Sequence, residues 1–133
     1  MNTPKFYAKQ NISFYKIFPG LFGETREISI EAYIRMLLES IEAETGIGKD
    51  NIKKKSRRRE HVEARQIFYS LMKNKFKHRV SLKFLGEMMG YDHATVVYSI
   101  RKVNDLCSID VIFRNKYNAI SMALNKKINE LYY

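Results

Sequence analysis

Cysteine is nearly absent from this chain of 133 residues: Cys107 stands alone. One thiol excludes an intramolecular disulfide and any cysteine-rich zinc site. Long apolar runs are missing too. None approaches the roughly 20 residues needed to cross a bilayer, so no membrane association is expected. The opening MNTPKFYAKQ lacks the apolar core of a secretory signal, and a cytoplasmic protein is expected by default. Catalytic groupings are equally scarce. His61, His78 and His93 fall in separate elements without the spacing of metal ligands. Around Gly48-Lys49, Ala43 stands where a Walker-type phosphate loop needs glycine, and Asp50 where it needs serine or threonine. Asp92 and His93 are neighbours whose side chains diverge, and no oxyanion device accompanies Thr95. No enzymatic activity, cofactor or metal is expected. Negative charge is the last shortage: 14 acidic residues face 24 lysines and arginines, for a net charge of +10 and a pI near 9.7. Such a surface draws polyanions, nucleic acid above all.

What remains is ample for a core, with 45% hydrophobic and 13% aromatic residues. The length suits one compact domain with an appendage or two. Residues 1–28 read as an arm. NISFYKIFPGLFG is aromatic-rich and broken by Pro19, Gly20 and Gly23. Its Tyr7, Phe14, Tyr15 and Phe22 either pack on the body or meet a protein partner.

From Ser29 the pattern is helical. Ser29 is an N-cap candidate, Ile30, Ile34, Leu37, Leu38 and Ile41 share a face, and Gly46 is a natural stop. GIGKDNI reads as a connection. KKKSRRR, Lys53 to Arg59, holds six basic residues in seven. A block of like charge repels itself and makes a loop that an anion can order. A helix is then expected over 61–74. Ala64, Ile67, Phe68, Leu71 and Met72 form its apolar stripe, while Arg65, Gln66 and Lys73 lie off it and point outward.

Ser81 caps a short helix over 82–89 with Leu82, Leu85 and Met89 inward, and Gly86 is expected to let a neighbouring helix approach. Gly90 ends it, Tyr91 occupies the turn, and Asp92 caps a longer helix running to Asp105. A short helix, a tight glycine turn and a capped helix make a helix-turn-helix. Cys107 is expected to be at least half-buried. One more helix follows, with Ile112, Tyr117, Ile120, Leu124, Ile128 and Leu131 as its inner face, completing the core or making a dimer.

Rotating the capped helix by 100° per residue puts Val96, Ile100 and Val103 inward, with Val97 at the edge. Ala94, Thr95, Tyr98, Arg101 and Lys102 fall on the opposite face. Small, hydrogen-bonding groups near the N-terminus permit close approach to base edges, and the later cations suit phosphates. His93 falls near the apolar border, so it either donates to guanine or phosphate or packs structurally. Asp92 caps the helix and could also accept from a cytosine amino group.

The two stretches KKKSRRREHVEARQIFYSLMKN and SLKFLGEMMGYDHATVVYSIRKVNDL together resemble the C-terminal DNA-binding domain (domain IV) of the bacterial replication initiator DnaA, over roughly residues 30–106. That family carries a basic loop, an Arg-Gln opening a long helix, a Ser-Leu-led short helix and an Asp-His cluster before a helix with Arg-Lys. The resemblance implies a recognition helix in the major groove and a loop arginine in the adjacent minor groove. By position, Arg57 takes the groove-inserting role. The resemblance likewise implies that Gln66 and Lys73 contact phosphate and that Asp92, His93 and Thr95 read bases on a helix supported through Ser81. This chain has Gly90-Tyr91 where the family has Gly-Gly-Arg or similar, and Ala94 where it has threonine or serine. The 29 residues ahead of the match are too few for an ATPase module, so a free-standing relative is expected.

The expected fold is therefore all-α, a multi-helix bundle of the DnaA C-terminal or Trp-repressor-like kind. It comprises an arm (1–28), the helix-turn-helix domain (29–107) and a C-terminal helix packing on it (108–133). The candidate contact set is Lys55, Arg57, Arg58, Arg59, Arg65, Gln66, Lys73, Ser81, Lys83, Tyr91, Asp92, His93, Ala94, Thr95, Tyr98, Arg101 and Lys102. The expected partner is double-stranded DNA, at a nucleoid location, in replication initiation or its regulation. The competing expectation is a protein-interaction module on the same scaffold, using the arm.

Overall fold

The computed structural model describes residues 28–132, and within them the chain is all-α. Six helices follow in order: α1 (Ile30–Thr45), α2 (Lys49–Ile52), α3 (Arg59–Phe76), α4 (Leu82–Met89), α5 (His93–Ile109) and α6 (Val111–Tyr132), with a 3₁₀ turn at Lys77–Arg79. Tyr7, Phe14, Tyr15 and Phe22 of the expected arm lie outside the described residues.

Local chemistry sets the helix ends. The Ser29 hydroxyl accepts from the Ala32 N–H at 3.1 Å, Ser81 accepts from Phe84 at 3.0 Å, and Asp92 accepts from Thr95 at 2.9 Å. Each satisfies an N–H that the helix itself leaves without a partner. Gly46 (φ 79°) and Gly90 (φ 78°) take the left-handed conformation that ends α1 and α4. Two boundaries differ from expectation. GIGKDNI contains the one-turn α2, formed because Ile52 at its end is fully buried. The helix begun at Asp92 runs on to Ile109, because the break comes only at Asp110, whose carboxylate accepts from Phe113 N–H at 3.1 Å and starts α6.

α3 is the axis. Every residue from Glu63 to Met72 is buried, and α1, α2, α4 and α5 all touch it. Charged side chains on so enclosed a stretch need partners within the protein. Glu63 pairs with Lys116 of α6 at 2.7 Å and with Arg59 at 3.1 Å. The expected stripe of Ala64, Ile67, Phe68, Leu71 and Met72 is buried throughout.

α6 packs on α1 and α5 through most of the expected face, which departs from expectation only at its two ends. Phe113, Ile120 and Leu124 are buried, with Tyr117 and Ile128 half-buried. Ile112 and Leu131, expected inward, are exposed. The Asp110 cap sets that phase: it begins the helix so that Phe113, the larger ring, faces in.

Gly86 permits a close approach, but of the turn rather than of a helix. A Cβ there would stand 2.4 Å from the Tyr91 carbonyl oxygen and 3.2 Å from that of Asp92. The Tyr91 N–H in turn donates to the Gly86 carbonyl at 2.8 Å. Gly86→Ala should destabilise the domain by about 1–3 kcal/mol, since backbone rather than a flexible side chain must yield. Denaturant unfolding measures this, and an unchanged midpoint would contradict the packing described.

Candidate nucleic-acid interface

Two elements meet on one side of the molecule. The 53–58 loop leaves α2 and returns into α3, and α5 crosses beside it. Between them lies a cavity of about 380 Å³ walled by Lys55, Ser56 and Arg57 of the loop, by Arg65, Gln66 and Tyr69 of α3, and by Tyr91, Thr95, Tyr98 and Ser99. The N-terminal half of α5 thus faces the basic loop across a shared depression.

The exposed face of α5 follows its rotation. Val96 and Val103 are buried and Ile100 is half-buried, while His93, Ala94, Tyr98 and Arg101 are exposed and Thr95 and Lys102 half-exposed. His93 is therefore not a core histidine. Asp92 is exposed, and the Thr95 N–H donated to its carboxylate holds it below the usual carboxylate range. The cap stays charged in neutral solution. Lys83 is exposed on α4, and Lys55, Arg57 and Arg58 are exposed on the loop.

Four expected contacts stand elsewhere than the sequence implied. Arg65 and Gln66, expected to point outward, are each only 6% exposed. Arg65 turns back under the loop and donates to the carbonyls of Ile52 (3.2 Å), Lys54 (3.0 Å) and Ser56 (2.7 Å). Its guanidinium holds the loop in shape, a task its forked donors suit. Lys73 donates to the carbonyls of Lys77 (2.9 Å) and Val80 (2.8 Å). It secures the reversal at Lys77, whose φ of 51° is left-handed. Arg59 belongs to α3 rather than to the loop and pairs with Glu63 and with Asp110 (3.6 Å). Ser81 serves as the α4 cap.

Other wall residues were not singled out from the sequence. Ser56 interrupts the basic run, and Ser99 lies one turn beyond Thr95. Tyr69 lies one turn beyond Arg65. It is almost wholly buried, its hydroxyl has no hydrogen-bond partner among the described residues, and burial pushes its pKa up to about 12. The only available signal was its spacing from Arg65. Cys107 is half-buried, and burial raises its thiol pKa. Among the described residues, no helix is long and apolar enough to cross a membrane.

The model of the bacterial DnaA protein helix-turn-helix matches residues 34–103, from within α1 to the last turns of α5. The chain is 32% identical over 106 residues to the chromosomal replication initiator protein DnaA of Bacteroides fragilis, covering 78% of this chain and 21% of that protein. It is 32% identical over 107 residues to the Bacteroides thetaiotaomicron protein of the same name, covering 79% and 21%. The Kosmotoga olearia DnaA matches 68 residues at 32% identity, 51% of this chain and 15% of that one. The chain thus spans about a fifth of the length of the Bacteroides initiators. No solved structure matches it significantly. With the capped α5, the glycine turn and the basic loop inside the matched span, the chain belongs to the bacterial DnaA helix-turn-helix family.

Proposed function

We propose that this chain binds duplex DNA with a sequence preference, in replication initiation or its control. In this reading α5 enters the major groove and the 53–58 loop the adjacent minor groove. The observation that carries it is the shared cavity: Lys55 and Arg57 on one wall, Thr95 and Tyr98 on the other. Neighbouring grooves of B-DNA are separated by a single phosphate backbone. Two groove-reading elements must therefore leave room between them for that strand, and this depression provides it, with cations on the loop side. The family membership and the names of the relatives support the same reading.

The roles divide by position. Ala94 and Thr95 bring small groups to base edges, Thr95 with a hydroxyl and a methyl. His93 and Asp92 flank them at the helix mouth, one able to donate and the other only to accept. Arg57, exposed and without an acid partner among the described residues, is the arginine for the minor groove. Lys55, Arg58, Lys83, Arg101 and Lys102 supply charge that positions without specifying. Arg65 and Lys73 act indirectly, by holding the loop and the turn.

The test is selection of bound duplexes from a random pool, followed by titration of the selected site. Thr95→Ala should lose about tenfold or more in discrimination at one base position, with the rest of the site unchanged. Arg57→Ala should weaken binding through the minor-groove half of the site. Selection that returns no preferred sequence, or the same site with the same affinity for both variants, would reject the assignment.

A further inference from the structure

Tyr91 is held from two directions. Its backbone belongs to the helix-turn-helix: the N–H donates to Gly86, and the next residue is the N-cap of α5. Its half-buried ring belongs to the basic loop. Lys55 Nζ lies 5.3 Å from the ring centroid and the Arg65 guanidinium carbon 5.0 Å from it. Both are within cation–π reach. Lys55 also runs along the turn, its Cε 3.6 Å from where a Gly90 Cβ would stand. Arg65 meanwhile grips three carbonyls of the segment that carries Lys55 and Arg57. One aromatic ring thus ties the loop to the head of α5 at the edge of the cavity that both line.

We propose that Tyr91 is a positioning residue for DNA recognition, fixing the offset between the loop and α5 through Lys55 and Arg65. This rests on the duplex-binding reading above. A loop and a helix that must enter adjacent grooves together bind well only if their separation is set beforehand. Otherwise the loop is ordered at each binding event, and the ordering cost appears as lost affinity. A ring bearing on two cations can set that separation while leaving the tips, Arg57 and Thr95, free. The phenol oxygen is not needed for this task and the aromatic face is.

The experiment titrates the duplex selected by the wild-type chain with Tyr91→Phe and Tyr91→Leu, each alone and combined with Arg57→Ala, and records melting temperatures alongside. Phenylalanine keeps the face and should bind as the wild type does. Leucine keeps bulk without a π face and should bind about tenfold more weakly. Its preference should blur at the bases read by the loop and persist at those read by α5. In the Arg57→Ala background the leucine penalty should largely disappear, because Tyr91 acts through the loop. Four results would overturn the proposal. Leucine could bind like the wild type. Phenylalanine could fail to rescue, which would make the hydroxyl a direct contact. The leucine penalty could simply add to that of Arg57→Ala. It could also track a fall in melting temperature across both halves of the site, which is what a purely structural role predicts. A wild-type chain that retains no duplex at all removes the reading of the previous subsection along with this one, whereas loss of the Tyr91 effect alone leaves that reading standing.

Discussion

Raising the salt concentration from about 50 to 200 mM should weaken duplex binding by about a thousandfold. The magnitude follows from the candidate contact cations of the loop, α4 and α5 that reach solvent. Lys55, Arg57, Arg58, Lys83 and Arg101 are exposed and Lys102 is half-exposed. About 6 phosphate contacts displace a matching number of condensed counterions, and affinity then falls with a logarithmic slope near −5. Arg65 and Lys73 are left out of that count, since their donors are engaged with backbone carbonyls. Anisotropy titrations of the selected duplex at several salt concentrations measure the slope. A nearly flat response would mean that the loop and α5 do not face phosphates. A slope near −7 would mean that the two engaged cations are released on binding.

Arg65→Met should destabilise the domain by about 3 kcal/mol, because three carbonyls lose a charged donor at once. For a domain of this size the corresponding fall in melting temperature is of the order of 10–20 °C. Methionine keeps the buried stem and removes only the fork, so the loss reports the guanidinium's hydrogen bonds and its contact with Tyr91 rather than volume. Arg65→Lys should rescue little, since a single ammonium cannot span the carbonyls of Ile52, Lys54 and Ser56. Amide exchange across 53–58 should rise in both variants. A melting temperature unchanged in Arg65→Met would show that the loop holds its shape without this side chain.

The sequence was most legible where one residue decides a local geometry. Ser29, Ser81 and Asp92 cap the helices they were expected to cap, Gly46 and Gly90 end the ones they were expected to end, and the stripe on α3 is buried as its spacing requires. The exposed face of α5 was legible as well, because a capped helix with Val96 and Val103 inward leaves no choice for Thr95 and Tyr98. Arg65 and Gln66 were misplaced for a common reason. Polar residues off an apolar stripe face water only on a helix with one buried side, and α3 is covered all round by elements distant in sequence. Periodicity cannot reveal such a cover. Arg59 was read as part of the loop because the helix was expected to begin at 61, two residues later than it does. The inner face of α6 slipped by one position at its start, where Ile112 and Phe113 are equally apolar and only the Asp110 cap decides between them.

The enclosure of α3 has a consequence for portability. α4 and α5 look like a self-contained reading head, yet Val96 and Val103, like Leu85 and Met89, belong to one core with α3 and α1. Cut out alone, that head would expose its whole inner surface to water and lose the arginine that shapes its companion loop. Anyone grafting this reader onto another scaffold must carry the central rod and most of its sheath, so the smallest transferable unit is nearly the entire described domain.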